Sequence, residues 1–194
     1  TGCRVTGLAD VSLTVDNVQG AAMATRHLLT LGHRRIGHVA GVATQQDAID
    51  RLQGYRLALA EAGVPFDPRL VFEGDFHEAS GIQAVEHWLG LGVGLSAIFA
   101  ANDQMAYGVR LGLYRRGIRV PDDISLVGFD DLPASQFTLP PLTSVRQPLF
   151  EMGRHAASTV LLRLRAPEVR PEVSALPLTL SVRESVRYAP ERAL

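Results

Sequence analysis

Two short apolar runs on either side of a capped helix constrain this chain more than any other feature. Residues 97–101 (AIFAA) and 124–129 (ISLVGF) are too short for helices and read as buried strands. Each ends on a polar pair, Asn102-Asp103 and Asp130-Asp131. Between them a helix runs from a cap at Asn102 or Asp103 to a stop at Gly117, with Pro121 beyond it. Strand, helix and strand of this length make a βαβ unit, with a parallel sheet and a right-handed crossover. In an open parallel sheet the ligand crevice lies at the carboxyl ends of the strands, where both polar pairs fall.

The same alternation runs along most of the chain. Residues 1–10 show no clear period, and 11–15 alternate as a strand. Asp16-Asn17 then offers two N-cap residues for a helix ending near Leu31, closed by Gly32. A strand over 35–40 leads through the loop 41–47 into a helix over about 48–62, with Leu52, Tyr55 and Leu59 as its buried stripe. A strand over 70–75 precedes a helix over 78–91, with Ile82, Val85 and Leu89 facing inward. The glycines of 90–94 precede a strand instead of joining a strand to a helix, so they form a connector and not a dinucleotide loop. After a loop over 130–141 come a strand over 142–145 and a helix from Pro148 to about Leu164, with Met152, Ala156 and Val160 on one side. Leu176, Leu178, Leu180 and Val182 alternate with polar residues and Pro177, which marks an edge strand. The pattern predicts an α/β chain with a three-layer αβα parallel sheet.

Composition excludes several classes. A net charge of −1 gives no electrostatic footprint for nucleic acid. A single cysteine, Cys3, rules out an internal disulfide, and no stretch reads as a signal peptide or a bilayer span, so a soluble cytoplasmic protein is expected. Asp130 and Asp131 are adjacent and point apart on an extended chain, which disqualifies them as paired catalytic acids. There is no nucleophile elbow, phosphate loop or HExxH, and His33 and His38 lack metal-ligand partners in their spacing. No enzyme activity, metal or cofactor is expected.

Four ordered blocks carry a resemblance: TVDNVQGAAMATRHLLTLGHRRIGHVAG, then RLQGYRLAL, then ANDQMAYG, then VPDDISLVGFDD with PPLTSVRQP. From about Val15 to Val186 the chain resembles the effector-binding core of the lactose-repressor family of bacterial transcription regulators. The resemblance implies a periplasmic-binding-protein-like fold, truncated to the second lobe plus part of the first. It assigns 1–15 to a remnant of the first lobe and the crossover, and 16–146 to the effector-binding second lobe. Residues 147–166 become a first-lobe helix, and 167–194 a closing strand and tail. Operator DNA would be read only by an amino-terminal helix-turn-helix that this chain lacks. The rival, a solute-binding protein of a sugar transporter, shares the fold, but LGHRRIGHVAG and PPLTSVRQP favour the regulator.

The residues leave alternatives that the resemblance narrows. Arg51 sits near the positive end of its helix, where a cation is unfavourable, so either a surface ion pair or a ligand role would compensate. Phe76, after a strand end, is either core filler or a platform for a sugar or base. One of Asn102 and Asp103 must cap the following helix. By resemblance Arg51, Phe76, Asn102 and Asp130 contact effector and Gln147 adds an amide at the lobe crossing. Asp103 then caps, and Asp131 satisfies the loop that follows it. Gln45 and Asp47 depart from purine-binding relatives, which carry an arginine and a hydroxyl residue there. Asp47 favours hydroxyl-rich or cationic ligands, which makes a carbohydrate the first expectation and a nucleoside the second. The helix after Asn102 has one stripe of Met105, Ala106, Val109 and Leu113 and a second of Tyr107, Leu111 and Tyr114. The second stripe is covered either by a neighbouring loop or by a second subunit, and the resemblance implies a homodimer. Effector binding would then shift the orientation of the lobes and, through the dimer, operator affinity.

Overall fold

A computed structural model describes residues 15–166 and 176–189. Residues 1–10 with Cys3, all but the last residue of the predicted strand 11–15, and, from the expected closing strand and tail, residues 167–175 and those beyond 189 lie outside the described residues. In order, the elements are α1 (Asn17–Thr30), β1 (Ile36–Ala40), α2 (Gln46–Glu61), β2 (Val71–Glu73), α3 (Glu78–Leu91), β3 (Ala97–Ala100), α4 (Asp103–Arg115), β4 (Ser125–Asp130), β5 (Thr143–Arg146), α5 (Leu149–Arg165) and β6 (Thr179–Ser181). Contacts divide the chain into a larger unit, 17–146 with 179–194, and a smaller one, 1–16 with 147–178.

In the larger unit the sheet order is β2-β1-β3-β4-β5-β6, parallel from β2 through β5. The chain reverses direction across the sheet after β2. Right-handed crossovers therefore put α2 on one face and α3 and α4 on the other. Side chains along the strands alternate accordingly. Val39, Ile98 and Leu126 join the cluster beneath α3 and α4. On the other face the His38 ring stacks on Phe99 and on Tyr55 of α2. The expected uniformly parallel sheet needs one correction, since β6 pairs antiparallel with β5. No βαβ crossover delivers β6; the chain reaches it from the smaller unit, so the handedness rule does not set its direction. Asp131 secures it, pairing with Arg146 of β5 at 2.6 Å, Arg183 at 2.7 Å and the Ser181 hydroxyl at 2.8 Å.

Glycines fix the helix rotations and alter two predicted stripes. On α2 the buried residues are Ala48, Arg51, Gly54, Tyr55, Ala58 and Leu59, while Leu52 is half-buried. A Cβ on Gly54 would overlap the Val18 carbonyl, so α1 and α2 touch there and Arg51 turns toward the sheet. On α3 the inward residues are Gly81, Ala84, Val85 and Trp88; Leu89 is exposed and Ile82 half-buried. Gly81 and Gly108 let α3 and α4 meet backbone to backbone, which turns Leu89 outward and Trp88 inward. The indole of Trp88 donates to the Arg69 carbonyl at 3.2 Å.

In the smaller unit Val15 bridges Leu176 in parallel. Helix α5 has no buried residue: Met152 is half-buried, and Ala156 and Val160 are exposed. Its predicted apolar stripe exists but no described residue of that unit covers it. No described helix is long and apolar enough to cross a membrane.

Candidate functional site

The carboxyl ends of β1 to β4 carry a cluster built around Arg51. Its side chain is almost fully buried, at 3% exposure, so the surface ion pair is corrected to an interior one. Nε donates to Asn17 Oδ1 at 2.8 Å and Nη1 to the Ala101 carbonyl at 2.5 Å. The Asp130 carboxylate lies 3.7 Å from Nη1. The guanidinium carbon stands 3.8 Å from the ring centroid of Phe129 and 5.9 Å from that of Phe76, close enough for cation–π attraction. Burial pushes the guanidinium pKa down, and the carboxylates of Asp130, Asp47, Asp103 and Asp50 oppose the shift. These charges also answer the unfavourable helix-end position.

Phe76 follows β2 with φ of 69°, a left-handed conformation that strains a bulky residue. Gly41, ending β1, accommodates it: a Cβ there would fall inside the Phe76 ring. The ring is half-buried against the core, and the Phe76 carbonyl accepts from Asn102 Nδ2 at 2.9 Å. At the next strand pair, Asp130 and Asp131 also take positive φ, 109° and 54°. Unfavourable backbone at the ends of both β2 and β4 is characteristic of sites where side chains must be aimed.

The expected division of labour at Asn102-Asp103 does not hold: Asn102 is the cap, and Asp103 is buried under the following loop. Asn102 is extended (φ −148°, ψ 170°) and its Oδ1 accepts from Met105 N at 2.9 Å, so Asn102 caps α4. Asp103 is already helical and fully buried. Its carboxylate accepts from Leu132 N at 2.8 Å and from the Ser135 and Ser144 hydroxyls at 2.5 Å each. Burial pushes the Asp103 carboxyl up to about 6, against the pull of those hydrogen bonds. Asp103 therefore satisfies the loop after β4, the task expected of Asp131, which instead pairs with Arg146 and Arg183. Both tasks turn on which carboxylate the loop encloses, a matter of tertiary packing.

Asp47, in the first turn of α2, accepts from Asn17 Nδ2 at 3.1 Å. The sequence marks Asn17 only as a helix cap, yet its carboxamide joins the cluster. Its only local clue was the Asp47–Arg51 spacing, which sets an acid and a base on one helix face. Gln147 belongs to the smaller unit, directly after β5, where its carbonyl accepts from Leu149 N at 2.9 Å. Of the second α4 stripe, Tyr107 is half-buried with its hydroxyl 2.7 Å from Ser135 Oγ, while Leu111 and Tyr114 are 41% and 79% exposed. These residues line a groove of about 800 Å³ together with Ile118, Val120, Phe137 and Leu139. Phe137 and Leu139 are themselves 78% and 83% exposed, so their loop borders the stripe without covering it. Among the described residues no group of His, Cys, Asp or Glu could hold a metal.

Carboxylates, an amide, a guanidinium fork and an aromatic ring within one strand-end cluster suit a ligand rich in hydroxyls. Comparison with known proteins agrees on the architecture. Residues 25–186 match the model of the periplasmic binding protein-like domain. The chain is 40% identical over 171 residues to the HTH-type transcriptional regulator CelR of Thermobifida fusca, covering 88% of this chain and 50% of that one. It is similar to the structure of a sugar-binding transcriptional regulator of the LacI family from Escherichia coli complexed with phosphate, with a TM-score of 0.87, 31% identity, and coverage of 96% of this chain and 67% of the other. The structure of a CelR–cellobiose complex aligns with a TM-score of 0.86 and 38% identity over 95% of this chain and 57% of that one. The chain spans about half the length of the curated relatives it matches.

Proposed function

Because this chain belongs to the lactose-repressor family, through its periplasmic-binding-protein-like domain, we propose that it is the effector-sensing part of a transcriptional regulator. The observation that carries this reading is the ion pair of buried Arg51 with half-buried Asp130, flanked by Asn102 and Phe76 at the carboxyl ends of β4, β3 and β2. The effector is a carbohydrate: Asp130 and Asp47 take hydroxyl pairs, Arg51 donates, and Phe76 offers an apolar face that Asn102, bonded to the Phe76 carbonyl while it caps α4, helps to position. Operator DNA is bound by a helix-turn-helix elsewhere in the full-length protein, a reading supported by the likeness to the HTH-type transcriptional regulator CelR.

The regulator is a cytoplasmic homodimer joined through the Tyr107, Leu111 and Tyr114 face of α4, whose apolar exposure supports an interface. It performs no catalysis; effector acts only by binding one conformation more tightly than the other. The transporter alternative has less support, since the relatives described above are regulators.

Calorimetry on the full-length protein with a panel of sugars tests the site. Asp130→Asn and Arg51→Ala should each weaken the effector by about thirtyfold, the cost of losing one charge-assisted hydrogen bond to the ligand. Thermal midpoints recorded alongside separate lost binding from lost folding, and Asp130→Asn is the gentler substitution. Full affinity in both variants would remove the pocket from the reading.

A further inference from the structure

Asp47 and Arg51 stand four residues apart on α2, a spacing at which an acid and a base ordinarily pair directly. Here they do not. The Asn17 carboxamide stands between them, accepting from Arg51 Nε at 2.8 Å and donating to Asp47 Oδ1 at 3.1 Å. We propose that Asn17 is a positioning residue that sets the charge selectivity of the effector site: by keeping Asp47 from neutralising Arg51, it makes the site accept an uncharged polyol and reject the phosphate ester of the same polyol. The proposal rests on the carbohydrate reading above and names the ligand class within it.

The cations near the strand ends support this. Arg51 spends Nε on Asn17 and Nη1 on the Ala101 carbonyl, faces Asp130 at 3.7 Å, and lies over the Phe129 ring. Arg146 and Arg183 both pair with Asp131, at 2.6 and 2.7 Å. Each of these guanidinium groups already faces a carboxylate. Asp47 is the reverse case, a carboxylate whose hydrogen bond comes from a neutral amide. Asp103 adds another whose donors are two hydroxyls and a backbone N–H. A phosphate entering this cluster would give up its hydration, meet guanidinium groups whose charge a carboxylate already answers, and be repelled by Asp47. A sugar hydroxyl can donate to the same carboxylate at no such cost.

The test uses full-length protein and calorimetric titration with glucose, ribose and cellobiose, each beside its terminal phosphate ester. In the wild type the ester of whichever sugar binds should be weaker by about tenfold or more, the scale of one unscreened like-charge contact in a partly buried site. In Asn17→Ala, Asp47 is free to close on Arg51, and the gap should shrink to about twofold. Asp47→Asn removes the charge and keeps an amide, so it should shrink the gap in the same way and serves if Asn17→Ala fails to fold. A wild-type ester that binds as tightly as its sugar overturns the charge selectivity. A full gap in the folded variants overturns the role of Asn17. If neither sugars nor esters bind, the carbohydrate reading itself falls, a result distinct from the other two.

Discussion

Asp103 and His38 are both buried ionisable groups, and acid acts on them in opposite directions. The Asp103 carboxyl, raised from 3.8 to about 6 chiefly by burial, holds its proton more tightly folded than unfolded. Its ionised form therefore costs stability at neutral pH, and the cost is relieved as pH falls from about 6 to about 4. The His38 imidazole, lowered from 6.5 to about 4 by burial, stays neutral with Nδ1 donating to the Phe99 carbonyl at 3.0 Å. Its contribution is complete above the unfolded value and is lost as pH falls through the folded one. Each effect amounts to at most about 3 kcal/mol. Urea unfolding at a series of pH values between neutrality and acid should show Asp103→Asn losing ground to the wild type on acidification, and His38→Phe gaining it. Differences that stay flat with pH would contradict both assignments. Phe76, Asn102 and Asp130 stood out because each follows a strand that local patterning reveals, and Arg51 because a cation is unfavourable at a helix start; their assignment to effector came from the family resemblance. The roles of Asn17 and Asp103 were not legible, because their partners lie about thirty or more residues away in the chain.

Helices α3 and α4 show how small residues overrule an apolar stripe. Periodicity alone turns Leu89 inward, yet the contact is made by Gly81 and Gly108, where backbones touch. Gly108→Ala would drive a methyl group into the Glu78 carbonyl and should cost about 3 kcal/mol of stability. Gly153, in α5, is the control: nothing lies within 4 Å of its added Cβ, and Gly153→Ala should gain about 0.5–1 kcal/mol from helix propensity. Chemical denaturation of the pair measures both. Equal effects would mean that α3 and α4 are free to separate without loss. On α2 the same logic exchanges Leu52 for Arg51 on the buried face, and so brings a cation to the strand ends.

At the scale of the whole protein, the groove beside α4 makes the strongest demand for a partner. Leu111, Tyr114, Phe137 and Leu139 form a continuous exposed apolar surface on the larger unit. Sedimentation velocity of Tyr114→Glu combined with Leu111→Asp should shift the full-length protein from dimer to monomer at micromolar concentration. A double variant that sediments as the wild type would place the interface elsewhere. The sequence by itself determined the alternation of strands and helices, the parallel core of the sheet and the edge on which polar groups collect. Those features follow from side-chain period, capping and chain handedness, all of which act over a few residues or one crossover. Only the tertiary structure decided that Asn102 caps while Asp103 is buried, that Asp131 secures an antiparallel β6, and that Asn17 separates Asp47 from Arg51. Burial and charge pairing depend on which distant segments come together, and no local pattern in the chain encodes that distance.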